Sequence, residues 1–189
     1  MEELTFDQLF FLRNTMHPHE YTITRVGLLP ILLRDVFISF YKNNTMSKSV
    51  IQEYYIMGID RGCGLLSDFG GHCNLMNIEI PINCLYRELN EEMGNDLTKY
   101  FKSKIADDDV RKISRIFTIK NPEDMSMKIQ IFLKFSDDNF VIDNLIDNFR
   151  SNEEISSIGY YDKNDVLKTS PPDYIRSVEL FMIELLNTK

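Results

Sequence analysis

Paired cysteines, a basic surplus, long apolar runs and internal repeats are all missing from this 189-residue chain. Its three cysteines, Cys63, Cys73 and Cys84, are an odd number without a C-x-x-C pair. Reduced thiols are therefore expected in place of a disulfide framework. His72 stands beside Cys73, but the spacings match no common zinc module. The longest apolar stretch, Val26 to Phe40, is broken by Arg34-Asp35 and is too short to span a bilayer. The first residues, Met1-Glu2-Glu3-Leu4, are acidic where a secretory signal is basic, and no apolar segment follows. A cytoplasmic protein with no membrane partner is the expectation. Lys and Arg number 21 against 29 Asp and Glu, a formal charge of −8. Phosphate backbones repel such a chain on average, so bulk charge does not hold it on nucleic acid or an anionic surface. A polyanionic ligand has to be met by a local basic patch or by bound metal ions.

Hydrophobic residues make up 43% of the chain, enough for a packed core. With no low-complexity tract or long linker, residues 1–189 read as a single domain of α/β class. Residues 1–20 form an extension in which Thr5–Asn14 has the apolar spacing of a short helix. Val26–Leu33 and Val36–Tyr41 read as strands around a turn at Arg34-Asp35, and Pro30 argues for an edge or a bulge. Ile113–Lys120 and Met127–Phe135 are the clearest strands, the second by strict alternation. Ser170-Pro171-Pro172 opens a closing helix with Tyr174, Val178, Phe181 and Leu185 at helical spacing.

The chemistry lies on a central helix. Pro81 to Met93 reads as one helix, and Gly94 is placed to end it as a left-handed cap. Leu85, Leu89 and Met93 share one stripe, which faces inward. Glu88, Glu91 and Glu92 are neighbours on another face, where like charges weaken a helix by a few tenths of a kcal/mol per pair. Arg87 relieves Glu91, but one guanidinium does not neutralise three carboxylates. A hard divalent cation, Mg²⁺ or Mn²⁺, does. The plain alternative is a solvated acidic face, which helices often carry.

Context favours the metal. Gly70-Gly71 follows a short apolar strand, Glu79 lies in the next loop, and Arg87-Glu88-Leu89-Asn90-Glu91-Glu92-Met93-Gly94 comes seven residues later. This order resembles the Nudix box, G-x5-E-x7-R-E-U-x-E-E-x-G-U, where U is a bulky aliphatic residue. Two positions depart from it: seven residues instead of five separate Gly71 from Glu79, and Asn95 stands at the final aliphatic place. Asn152-Glu153-Glu154-Ile155, followed by Ile158 to Asp162, is similar to the late strand and turn of Nudix domains.

The resemblance implies a Nudix-like α/β/α sandwich, with a mixed β-sheet and the catalytic helix following a loop. It implies a pyrophosphohydrolase that uses Mg²⁺ or Mn²⁺ to cleave a nucleoside diphosphate joined to another moiety. Glu88, Glu91, Glu92 and Glu154 become the metal ligands, with Glu154 preferred to Glu153. Glu88 becomes the base that takes the water's proton, and Arg87 the partner that fixes the carboxylates. Gly70 and Gly71 become the place where backbone approaches substrate, and Glu79 a loop organiser. Substrate is either a small nucleotide derivative or capped RNA, and a homodimer is compatible with exposed strands. The competing class is a Nudix-fold module that binds a nucleotide or RNA without hydrolysing it. Lesser candidates are His72, the polar pair His17 and His19, and the basic residues Lys99, Lys102, Lys104, Arg111, Lys112, Arg115 and Lys120, interrupted by Asp107-Asp108-Asp109. Tyr54, Tyr55 and Phe69 are aromatic candidates for stacking a base, with core packing as their ordinary role.

Overall fold

The computed structural model describes residues 2–4, 22–40, 46–74, 79–118 and 126–169. Within them one mixed sheet contains β1 (Glu2–Leu4), β2 (Thr22–Phe40), β3 (Met46–Asp60), β4 (Leu66–Ser67), β5 (Phe69–His72), β6 (Arg111–Thr118), β7 (Ser126–Ser136) and β8 (Ile155–Tyr161). The helices are α1 (Pro81–Met93), α2 (Asn95–Ala106), α3 (Val141–Asp147) and α4 (Lys163–Thr169). The expected helices at Thr5–Asn14 and after Ser170 lie outside the described residues. None of the described helices is long and apolar enough to cross a membrane.

The longest apolar segment of the sequence is the spine of the sheet. β2 runs through Arg34-Asp35 without a turn, which corrects the expectation of two strands. Arg34 and Asp35 keep register with Gln52 and Ile51 of β3. The charge of Arg34 is met by Asp143, and its guanidinium lies 4.7 Å from the Tyr160 ring. Asp35 stays at the surface, where the Ser49 hydroxyl donates to it. A polar dipeptide thus fits inside a strand because both side chains find partners there.

Pro30 likewise lies in a central strand, neither at an edge nor in a bulge. On one side β2 pairs β5 through Arg25–Leu28 and β3 from Ile31 onward, so Leu29 and Pro30 fall between the two partners. On the other side Pro30 stands opposite Leu133 in the parallel ladder with β7. A residue without an N–H is tolerated where one neighbour ends and the next begins. The same change of partner opens a fork between β2 and β3. The short β4–β5 segment fills it, pairing Gly58 and Ile59 on one side and Arg25–Leu28 on the other.

The helix α1 obeys its sequence closely. Pro81 opens it, and the amides of Asn83 and Cys84 donate to the Ile80 carbonyl. Leu85 and Leu89 are fully buried against the sheet, each worth about 2–3 kcal/mol of transfer free energy. Gly94 ends the helix at φ 77°, as expected, but with ψ 175° instead of a left-handed cap. It opens α2 at once, and its carbonyl accepts from the Thr98 amide and hydroxyl. Lys99, Lys102 and Lys104 therefore lie on a helix, which the strand-centred expectation missed.

One core forms between the sheet and α1, α2 and α3, from Val26, Leu28, Phe69, Leu85, Leu89, Leu97, Phe101, Ile131 and Ile142 among others. A second forms on the opposite face around Leu29, Ile31, Tyr55, Met57 and Phe132, with Val166 of α4. Sheet alternation sends adjacent residues of β2 and β7 to the two cores, giving the α/β/α layering expected from the sequence. Tyr55 and Phe69 are core residues, and Tyr54 packs edge-on to Tyr160 with centroids 6.4 Å apart.

Beneath the fork lies a buried charge pair. Asp68, 1% exposed, accepts from Lys128 Nζ at 2.8 Å and from Arg25 Nη2 at 3.3 Å. A Cβ at Gly27 would stand 2.1 Å from Asp68 Oδ2 and 3.1 Å from Lys128 Cε. Gly27→Ala should therefore lower stability by about 1–3 kcal/mol or more. The expected result is a lower urea midpoint with an unchanged slope.

Candidate active site at the strand, loop and helix turn

Gly70-Gly71 and α1 meet in a contact that only glycine permits. Gly70 has φ 142°, and a Cβ on it would lie 2.1 Å from the Val26 carbonyl oxygen. A Cβ on Gly71 would lie 2.1 Å from Glu88 Oε2. The space over this pair belongs to the β2 backbone and to the Glu88 carboxylate. Gly71 makes room for the Glu88 side chain and Gly70 for the β2 backbone. The Gly70 amide also donates to Glu92 Oε2 at 2.6 Å.

Arg87 organises the remaining carboxylates. Its Nε and Nη2 each donate to Glu79, to Oε1 and Oε2, at 3.0 Å. Its Nη1 reaches Glu88 Oε1 at 2.6 Å and Glu91 Oε2 at 3.3 Å, and Nη2 also donates to the His72 carbonyl at 2.9 Å. The hydrogen bonds to Glu79 come first in raising the Arg87 pKa above its ordinary value, against the opposing effect of burial. The same contact holds Glu79 below the usual carboxylate range, with the Asn74 amide adding to it. Arg87 is over a third exposed, so each ion pair adds at most about 1 kcal/mol. Its larger effect is geometric, since a planar fork fixes several carboxylates at once. The expected role of Glu79 as loop organiser agrees with these contacts.

Glu88 and Glu92 are buried while Glu91 and Glu154 stay exposed. Glu92 is pushed up to about 9, chiefly by burial, with Asp68 and Glu154 adding repulsion and the Gly70 amide opposing it. Glu154 is also raised, by burial first and then by the charges of Glu88 and Glu91, which places it in the field of the helix cluster. Six carboxylates (Asp68, Glu79, Glu88, Glu91, Glu92 and Glu154) are thus gathered where the ion pairs supply Arg25, Arg87 and Lys128. Among the described residues no three acidic, histidine or cysteine side chains converge on one point as a ready-made metal cage. Glu88 and Glu91 turn to Arg87, and Glu92 turns inward to Gly70.

Asn152 ties the late turn to the helix. Its Nδ2 donates to the carbonyls of Glu91 and Glu92 at 3.0 and 2.7 Å. Its Oδ1 accepts from the amides of Glu154 and Ile155. One side chain thereby caps the last turn of α1 and sets the start of β8, where Ile155 is buried. The sequence marks Asn152 only as part of an acidic segment, and nothing in it links Arg25, Asp68 and Lys128, which lie 43 and 60 residues apart in their pairs. His72 is exposed, and only its carbonyl joins the site. His17 and His19 fall outside the described residues. The three cysteines form no disulfide; Cys73 and Cys84 are buried and Cys63 is exposed.

No protein-family model and no curated protein matches the sequence. Solved structures do match in shape. An Ap4A hydrolase from C. elegans in a binary complex superposes with TM-score 0.52 at 10% identity, over 86% of this chain and 97% of that one. A bifunctional NMN adenylyltransferase/ADP ribose pyrophosphatase from Francisella tularensis superposes with TM-score 0.52 at 12% identity, over 95% of this chain and 44% of that one. Its complex with AMP and Mn ion gives 0.50 at 12% identity, over 95% and 45%. The chain has the Nudix fold. The Gly71 to Gly94 segment, which resembles the Nudix box, runs from the end of β5 through the loop to α1.

Two tests follow from this geometry. Asn152→Ala removes four hydrogen bonds at the helix end and should cost about 1–2 kcal/mol, read from the urea midpoint. Asp68 is one pH-sensitive group: burial alone would raise it, but Arg25 and Lys128 outweigh burial and bring it to about 2. Lys128 is lowered to about 8, burial outweighing its attraction to Asp68, so both partners are charged near neutrality. A carboxylate depressed on folding contributes stability above its ordinary range near pH 4 and loses it toward pH 2, here about 2 kcal/mol. Urea midpoints between pH 5 and 2 should fall for the native chain, with that component absent in Asp68→Asn.

Proposed function

We propose that this Nudix-fold protein hydrolyses the pyrophosphate bond of a nucleoside diphosphate joined to another moiety, with Mg²⁺ or Mn²⁺. The observation that carries this reading is the placing of Glu92 on Gly70 and Glu88 on Gly71, with Glu91 sharing Arg87 and Glu154 in their field, and with more negative charge than the ion-paired cations offset. All four donors are hard oxygens, and two are exposed and able to turn, so the set fits a hard dication. Such ions would supply a lowered water pKa and a counter-charge for the diphosphate.

The protein's own groups do the remainder. Glu88, held over Gly71 by Arg87, takes the proton as water oxygen bonds to phosphorus; the bridging oxygen keeps the electrons of the broken P–O bond and leaves on a phosphate. Arg87 holds its carboxylates in place, saving orientation entropy. Small nucleotide derivatives are the favoured substrates. Ap4A, ADP-ribose and AMP appear in the names of proteins of similar shape, and capped RNA must overcome the net negative charge of the chain.

Incubation with Mg²⁺ or Mn²⁺ and a panel of dinucleoside polyphosphates, ADP-ribose, NADH and capped RNA tests the reading. Release of a nucleoside phosphate should require the metal, and Glu88→Gln should lower kcat by about two orders of magnitude or more. Tight binding without turnover on every panel member would instead identify a non-hydrolysing binding module.

A further inference from the structure

Arg25, Arg34 and Arg87 each hold a carboxylate. Arg61 and Arg150 are exposed, and neither side chain has a hydrogen bond or ion pair among the described residues. Unpaired arginines are common on surfaces, but the place of these two is particular. Both are tethered through backbone to the turn that carries Glu154. The Arg61 amide donates to the Glu154 carbonyl at 2.8 Å. Arg61 thus stands across from Glu154, yet no ion pair joins the two side chains among the described residues. Arg150 comes two residues before Asn152, at most about 7 Å of chain. Asn152 in turn binds the Glu154 amide and the end of α1. An exposed ion pair adds little to stability, so leaving these guanidiniums unpaired costs the fold almost nothing.

A cavity of about 300 Å³ adjoins the turn on the Arg150 side. Its lining includes Glu91, Asp96, Leu97, Phe149, Arg150 and Asn152, so it meets the carboxylate cluster at Glu91. Arg150 is the one cation among the described residues that line it. Of the two acids, Glu91 is turned to Arg87, and Asp96 lies in the first turn of α2, whose positive end offsets it. Dications at the cluster would offset a diphosphate. Every further phosphoryl group adds a negative charge that the carboxylates repel, and a planar guanidinium binds such a group through two parallel bonds. We propose that Arg61 and Arg150 bind the phosphoryl groups that a substrate carries beyond the two at the carboxylate cluster, which gives a polyphosphate chain preference over a diphosphate. This rests on the nucleotide-pyrophosphate reading above. The cavity beside Arg150 leaves room for the chain and for the group at its end.

The test compares diadenosine tetraphosphate with diadenosine diphosphate, which differ in phosphoryl groups alone. Calorimetric titrations with Mg²⁺ use Glu88→Gln, so that turnover does not consume the ligand, alone and combined with Arg61→Ala or Arg150→Ala. Thermal melts check that each variant is folded. The tetraphosphate should bind at least about tenfold more tightly than the diphosphate. Each arginine substitution should weaken the tetraphosphate by about tenfold and the diphosphate by less than about twofold. KM values of the arginine variants with Glu88 intact give the same comparison if Glu88→Gln does not fold. Equal binding of the two ligands overturns the assignment, as does a substitution that weakens both alike. An unchanged ratio in either arginine variant overturns it as well. Turnover separates the two proposals. An arginine-dependent preference for the longer chain without metal-dependent hydrolysis by the native protein keeps this inference and ends the hydrolase reading. Hydrolysis with no such preference does the reverse.

Discussion

Carboxylates crowded onto one helix turn need space as well as counter-charge, and the rest of this structure is arranged around supplying both. Space comes from backbone without side chains. Gly71 yields the volume that the Glu88 carboxylate fills, and Gly70 yields the contact with the Val26 carbonyl that lets β5 lie against β2. Counter-charge comes from one guanidinium spread over Glu79, Glu88 and Glu91. A lysine in place of Arg87 would carry the same charge but could not hold Glu79 with two parallel bonds while reaching the other two. The cluster is thus a geometric device whose exposed ion pairs add little to stability.

A second charge system underlies the first and behaves differently. Asp68, Lys128 and Arg25 are held in the fork where β2 and β3 part, and Asp68 is all but sealed from water. Buried pairs of this kind repay their desolvation only with good geometry, and Gly27 supplies it by leaving the carboxylate room. The two systems share Gly70: its carbonyl accepts from Arg25 and its amide donates to Glu92. One residue therefore couples the buried pair to the helix cluster, and Asn152 fixes the other end of the same helix to the turn that carries Glu154.

Where local spacing decides, the sequence was readable. The helix Pro81–Met93 has the bounds its proline and glycine imply, and its apolar stripe is the buried one. The alternating strand of β7 lies where its pattern puts it, with one residue added at each end. Arg34-Asp35 misled because charge reads as a turn until Asp143, 109 residues away, is known to meet Arg34. Pro30 misled in the same way, since a proline's tolerance in a strand depends on which neighbour stops beside it. The helix Asn95–Ala106 was hidden by its lysines, three of which sit between four buried positions.

The order of glycines and glutamates along the chain determined the family resemblance and the box helix, because residues three and four apart on a helix are neighbours whatever surrounds them. Which way each glutamate turns was decided only by tertiary structure. Glu92 points inward because the Gly70 amide awaits it, Glu88 and Glu91 point to Arg87, and Lys128 reaches Asp68 because β7 pairs β2 in that register. Pairing register is a long-range property: strands more than a hundred residues apart choose each other by burying two faces at once, and no local pattern encodes that choice.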